Sequence, residues 1–435
     1  MVPDPRGGRT IETSSREHAS PQYHGLPGGG GTVNGPRVGE TNRNAWLPAR
    51  EPPTVALVST YPPRECGIAT FTRDLSRNLR EAGLRTWVVA MDEEGAGYAY
   101  GPEVRVQIHE DALEEYRAAA DAINRSDAHV VNLQHEFGIF GGEWGEHVLE
   151  LVERLDRPLV ITLHTVLPDP PPRARRVVRA LCRRAAAVVV MSPSAVDLLE
   201  ARYGVPRTRV HVVWHGVPTI EAVPREEAKR RLGLEGRLVV STFGLVSPGK
   251  GIEDVLEALP GVARRYPQVL YLVLGETHPN VRRREGERYR NMLLEKVRAL
   301  DLSRHVRFEN RYLRDEEIVA YLQATDVYVT PYHNPDQIVS GTLSWALAAG
   351  CAVVSTPYRY AVDVLSDGRG VLVPFQDPQN LGHALQELLG DPQRRTRLGE
   401  RAYAASLSMR WPRVAARYAS LFEQAVERAA AEAAV

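Results

Sequence analysis

The stretch PYHNPDQIVSGTLSWALAAGCAVVSTPYRYAVDVLSDGRGVLVPF, Pro331 to Phe375, decides the fold. It reads as a polar loop, a helix opening at Ser340-Gly341-Thr342, and a buried apolar strand from Cys351 to Ser355. A strand end that hands the chain into a helix N-terminus leaves backbone N–H groups free. It also sets the positive end of the helix dipole there, which suits a phosphate or a sugar hydroxyl.

The same strand-and-helix unit recurs on both sides of this stretch. Before it, EEAKRRLGL, GIEDVLEALPGVARRYP, YRNMLLEKVRALDL and DEEIVAYLQATD have helical spacing, and LVVSTFG, VLYLVLG, VRFENRYL and DVYVTPY read as strands. After it, QNLGHALQELLGD is a further helix. Thr219 to Arg225 lacks periodicity and reads as a linker. Upstream, strands are expected at Thr54 to Pro63, in TWVVAM, and at His129 to Leu133, Leu159 to Leu163, Ala187 to Met191 and Val210 to Val213. Helices fall at Phe71 to Gly83 and at about Ala112 to Asn124, Glu143 to Leu155, Arg173 to Ala185 and Ser194 to Tyr203. Each parallel return needs a crossover helix, so the alternation predicts two doubly wound α/β domains in tandem, 51–218 and 219–395. Ligands of such sheets sit at the strand carboxyl ends, so the site belongs in a cleft where the halves face each other. Residues 396–435 are almost wholly helical. Residues 1–50, rich in Gly, Pro, Arg and Ser, lack apolar periodicity and are expected to be a disordered tail.

At 435 residues and 43% hydrophobic, the chain is long enough for two cores. Its formal net charge is zero, which argues against a nucleic-acid partner. No apolar run approaches a membrane span and no signal-peptide pattern opens the chain, so a cytoplasmic location is expected. The arginine-rich helix from Pro172 to Ala187 is read as a solvated face in preference to a peripheral membrane contact. Cys66, Cys182 and Cys351 are far apart, and neither they nor any HExxH or EF-hand pattern predicts a metal site. GxSxG is absent as well, which weakens a serine-hydrolase reading.

Polar residues cluster at the strand ends. In PPRECGIATFTRDL, Gly67 precedes a helix and serves either as a plain turn or as a close backbone approach to a ligand. His135 and Glu136 end the third strand, His164 follows the fourth and His215 follows the fifth. Three histidines converging on one cleft assign at least one of them a catalytic or ligand role. In the second half, TFGLVSPGKGIEDVLEAL sets Lys250 and Gly251 at a helix entrance, where an ammonium beside free N–H groups holds a diphosphate. VLGETHP brings Glu276 and His278 to the same cleft.

With YPPRECGIATFTRDL, LHTV and WHGVP in the first half, and FGLVSPGKGIEDVLEAL, DVYVTPY and GTLSWALAAGCAVVSTP in the second, the chain from about Thr54 to Phe422 resembles a retaining glycosyltransferase of family 4, of GT-B fold. The resemblance implies transfer of a hexosyl group from a nucleotide-diphosphate sugar to an acceptor hydroxyl on a glycan or small molecule, without metal or cofactor. It implies catalytic roles for His164 and Lys250. Donor contacts fall to Gly67, Ile68, Gly244, Gly275, Glu276, Gln337, Ser340, Gly341, Thr342 and Leu343, and the acceptor side to His135, Glu136 and His215. It further implies that the last helices, Thr396 to Ala405 and Val414 to Ala430, cross back over the first domain.

The chain departs from the family pattern at three positions. Where the family has an arginine five residues before the lysine, this sequence has Leu245, and Arg282, Arg283, Arg284 or Arg311 are the candidate replacements. The family's paired glutamates, eight residues apart, fall on Gln337 and Trp345, and a shifted pairing would use Asp336 and Ser344. Two other readings stay open beside the transferase: a catalytically impaired nucleotide-sugar or glycan binder, and an epimerase using Glu136 and Glu276.

Overall fold

A computed structural model describes residues 52–93 and 95–434, so the tail expected over 1–50 lies outside the described residues. The first half contains β1 (Thr54–Ser59), β2 (Arg85–Asp92), β3 (Val104–His109), β4 (Val130–His135), β5 (Leu159–Leu163), β6 (Ala187–Val190) and β7 (Val210–Val212). They form one parallel sheet in the order β3-β2-β1-β4-β5-β6-β7. The second half contains β8 (Leu238–Phe243), β9 (Val269–Leu274), β10 (Val306–Glu309), β11 (Val327–Thr330), β12 (Ala352–Ser355) and β13 (Val371–Leu372), in the order β10-β9-β8-β11-β12-β13. In each sheet the strand order reverses beside the first strand, which opens a crevice at the strand carboxyl ends.

The strands are apolar throughout because helices cover both faces. In β1, Ala56 and Val58 pack into the core on one face, while Val55 and Leu57 enter the other. A fully buried Val or Leu contributes about 1.5–3 kcal/mol, so these strands anchor the fold. One face of β4 and β5 differs. Val130 and Val160 are followed by Asn132, Gln134 and Thr162, all fully buried.

Several local expectations shift. The helix after β1 starts at Gly67, four residues ahead of Phe71, because the Cys66 thiol caps it by accepting from Ala69 N at 3.3 Å. The helix expected over Glu143 to Leu155 shrinks to Val148–Val152, preceded by a 3-10 turn in which Trp144 has φ 60°. β3 and β13 are edge strands with weak apolar patterns.

The two C-terminal helices divide between the halves, which corrects the expectation that both lie on the first domain. The helix Pro392–Ser406 packs on the second sheet, where Gly399 sits so close to Gly350 that a Cβ would lie 2.2 Å from its carbonyl. The chain then crosses at Val217, whose N–H bonds Met409 O at 2.8 Å and whose carbonyl receives Trp411 N at 3.0 Å. Only the following helix, Trp411–Ala433, covers the first sheet, burying Trp411, Tyr418 and Phe422 against β1 and the helix Gly67–Glu81. Among the described residues no helix is long and apolar enough to cross a membrane.

Candidate active site

The two crevices face each other and form a cleft of about 1140 Å³. A narrower chamber of about 300 Å³ adjoins it, walled by Phe243, Leu245, Leu313 and Trp345. Gly67, His215, His278, Gly341 and Thr342 border both spaces.

On the second half, the turns after β8 and β9 approach to backbone distance. A Cβ on Gly275 would lie 2.3 Å from the carbonyl of Gly244, so both turns are confined to glycine-like geometry. Lys250 extends from the far end of the loop after β8, and its ammonium lies 4.1 Å from the centre of the Tyr332 ring. The helix Gly341–Ala348 opens beside it with Ser340 as cap, the Ser340 hydroxyl accepting from Leu343 N at 3.3 Å. The Leu343 amide is therefore occupied and its side chain is buried, contrary to its expected donor contact. The first two amides, at Gly341 and Thr342, have no intrahelical acceptor and border the cleft.

On the first half, Gly67 and Ile68 begin the opposing helix and line the cleft. His164 and His215 flank Phe71, each with its ring centre 5.2 Å away in an edge-on arrangement. Burial disfavours the charged imidazolium and pushes their pKa values down to about 3 and about 4, so both are neutral at pH 7. The His215 Nδ1 lies 2.8 Å from the Gly216 carbonyl, which can only accept, so Nδ1 carries the proton. Its Nε2 faces Gly341, where a Cβ would sit 2.9 Å away, so the halves close to contact here because residue 341 has no side chain.

Glu136 also lines the cleft. It accepts from Thr165 Oγ1 at 2.6 Å and from Phe137 N at 2.9 Å, while burial raises its pKa. His135 does not reach the cleft, correcting its expected acceptor-side role. It is wholly buried between Phe137 and Phe140, with no partner for either ring nitrogen among the described residues. The cause is strand alternation: His135 and Gln134 point to opposite faces of β4.

The positions that depart from the family pattern have definite surroundings. Leu245 lines the smaller chamber, and Trp345 packs against Phe243 with ring centres 6.2 Å apart. Gln337 borders the cleft, its amide donating to Val339 O at 2.8 Å. The shifted pair is unsuitable: Asp336 is held by Arg359 at 3.1 Å, and Ser344 is buried and bonded to Ser340 O and Tyr360. Glu276 lines the smaller chamber, with Oε2 accepting from Arg282 at 3.3 Å and its carboxyl set against that of Glu65. Of the candidate replacement cations, Arg282 and Arg283 line the cleft, whereas Arg311 pairs with Glu317. Sequence reasoning missed Arg64, also on the cleft wall, whose guanidinium donates to Met91 O at 3.0 Å and pairs with Glu93 at 3.2 Å.

Two parallel-sheet Rossmann-like halves around such a cleft are the GT-B arrangement of glycosyltransferases. The sucrose-phosphate synthase of Thermosynechococcus elongatus superposes with a TM-score of 0.70 over 86% of this chain and 98% of that one, at 19% identity. HepE of Anabaena, solved in complex with UDP and glucose, gives 0.69 over 85% and 99%, at 17% identity. In sequence, residues 66–221 match the model described as Glycosyltransferase Family 4, and residues 224–405 match Glycosyl transferases group 1. The D-inositol 3-phosphate glycosyltransferase of Kineococcus radiotolerans is 29% identical over 314 residues, 64% of this chain and 69% of that protein. The spore coat protein SA of Bacillus subtilis is 23% identical over 253 residues, 55% of this chain and 65% of that protein. The chain belongs to glycosyltransferase family 4 and is a transferase of GT-B fold.

Proposed function

We propose that the protein moves a hexosyl group from a nucleotide-diphosphate sugar to an acceptor hydroxyl, with retention of anomeric configuration and without a metal. One observation carries this reading. Lys250 and the open amides of Gly341 and Thr342 stand on one side, Gly67 and neutral His164 on the other, around spaces that share their walls. The donor's diphosphate lies at Lys250 and the helix N-terminus, its base in the apolar chamber beside Trp345, and its sugar toward His164. The acceptor enters along Glu136, Thr165 and Asp169.

In the reaction, the acceptor oxygen bonds the anomeric carbon on the face from which the diphosphate departs. The carbon–oxygen bond to the diphosphate breaks, and a phosphate oxygen takes the acceptor's proton. The protein supplies charge stabilisation and position, each worth several kcal/mol. With Leu245 in the arginine's place, Lys250 carries more of the departing charge, helped by Arg282. Gln337, on the cleft wall, offers its side-chain amide to a donor hydroxyl where the chain has no glutamate at 337 or 345.

Lys250→Ala should lower turnover by about two to three powers of ten, the scale of a lost transition-state charge contact. Labelled UDP-glucose and GDP-mannose, presented with a panel of acceptors, provide the assay, after a thermal-shift screen has identified the donor that binds. Activity within twofold of the unaltered protein would remove Lys250 from the mechanism. The apolar surroundings of Leu245 and Trp345 favour one second reading, a nucleotide-sugar binder without turnover. A thermal shift with no transfer to any acceptor would select it.

A further inference from the structure

Beneath His164 runs a chain of buried amides whose hydrogen-bond directions are fixed from one end. Asn132 Nδ2 lies 3.0 Å from the Val160 carbonyl, which has no proton to give, so this end of the side chain is the NH₂ group. Asn132 Oδ1 therefore faces Gln134, and it receives Gln134 Nε2 at 2.6 Å. That in turn points Gln134 Oε1 at His164 Nε2, 2.8 Å away. An amide oxygen only accepts, so the imidazole proton is on Nε2. Nδ1 then carries a lone pair and has no partner among the described residues, while the ring borders the cleft. Asn132, Gln134 and Thr162 are fully buried on the sheet face covered by the last helix, and Tyr418 of that helix lies 2.9 Å from Thr162 Oγ1.

We propose that Gln134 and Asn132 are positioning residues that hold His164 as the Nε2–H tautomer, so that it meets the cleft only as a hydrogen-bond acceptor. The inference deepens the glycosyl-transfer reading and rests on it for one consequence: the substrate group facing His164 must be a donor, such as a sugar hydroxyl. A purely structural role for the amides would leave kcat/KM and its pH profile unmoved when Gln134 is replaced and the fold is kept. The rest of the surroundings does not dictate which nitrogen holds the proton, because the neighbours that bear on the ring electrostatically are His135 and His215, and both are neutral at pH 7.

The test is nitrogen-15 NMR of the full chain with labelled histidine, the His164 signals being assigned by their loss in His164→Asn. In the unaltered protein at pH 7, a pyrrole-type Nε2 and a pyridine-type Nδ1 are expected. A proton on Nδ1, or an even mixture of tautomers, would overturn the proposal. Gln134→Met should mix the tautomers and lower kcat/KM by roughly tenfold or more, since a misplaced imidazole proton is costly in catalysis. Gln134→Glu should retain the tautomer and most activity above pH 8, while the acid limb of the kcat/KM profile moves to higher pH. If Gln134→Met keeps one tautomer, the amide does not set it and the proposal fails. The spectrum needs no turnover, so absence of transfer alongside an Nε2–H signal would sink the function reading and leave the positioning role standing.

Discussion

At the scale of the residue, acid sensitivity follows from the three buried histidines. His135 and His215 are pushed down to about 4 and His164 to about 3, with burial the leading cause in each. An unfolded chain takes up protons on these rings near pH 6.5, and the folded chain refuses them until about pH 4 or below. The stability of the neutral rings is therefore complete above about pH 6.5. It is lost as pH falls through that window, at about 1.4 kcal/mol per pH unit for each ring. His135 is the cleanest probe because neither of its nitrogens has a partner among the described residues. His135→Phe should leave the neutral-pH unfolding free energy unchanged or raised, and should remove about one proton from the acid slope. Urea melts at pH 7 and pH 5 measure both quantities. An unaltered slope would show that the folded protein protonates His135 freely.

At the scale of the element, the loop carrying Lys250 is tied to the strand-end loop that follows β11. Gly251, with φ 68°, starts the helix Ile252–Arg265, and a Cβ on it would lie 1.9 Å from the Pro331 carbonyl. Gly249 has φ 84° with nothing within 4 Å of the same construction. Gly249→Ala should therefore cost only the left-handed strain, about 1–2 kcal/mol. Gly251→Ala should cost about 2–4 kcal/mol because backbone must also move. It should depress turnover as well, by shifting Lys250, and thermal melts with donor assays on the pair separate strain from displacement. These elements also show what was legible in the sequence. The strand-helix alternation, the glycine turns and the Ser340 cap are local patterns, and they placed both sheets and the helix at Gly341. The start at Gly67 escaped because a thiol is an uncommon cap. The amides of Asn132 and Gln134 escaped because a polar residue inside an apolar run reads as an interruption, and only the folded sheet brings Val160 and His164 within reach of them. Which C-terminal helix covers which half depends on a crossing between Val217 and Met409, nearly two hundred residues apart in sequence, and no local pattern encodes it.

At the scale of the whole molecule, the halves are joined at the backbone crossing, at Ser194, whose N–H and hydroxyl donate to Asp363 at 3.2 and 2.7 Å, and by ion pairs across the cleft. Arg73 reaches Asp315 at 2.9 Å, and Arg283 reaches Glu93 at 2.9 Å while Arg64 holds the same carboxylate from its own half. The Glu65 carboxyl meets Glu276 between them, its pKa raised by burial and then by that neighbour. The side chains in the two cross-cleft ion pairs range from 21% to 54% exposed, so each pair is worth at most about 1 kcal/mol. Contacts this weak suit a cleft that opens for substrate and closes to exclude water. The backbone bonds at Val217 do not cross the cleft, so opening it would leave them in place. Removing both clasps with Arg283→Ala and Asp315→Ala should shift the closure equilibrium by about 0.4–2 kcal/mol, or roughly two- to thirtyfold. The donor-free double variant should show a larger radius of gyration by small-angle scattering than the unaltered protein. It should also divert more donor to hydrolysis relative to transfer, because water enters an open site. Raising salt to about 0.5 M should reproduce part of the expansion in the unaltered protein by screening the same pairs. An unchanged radius in the double variant at low salt would mean that packing around the crossing, and not the charge clasps, sets the angle between the halves.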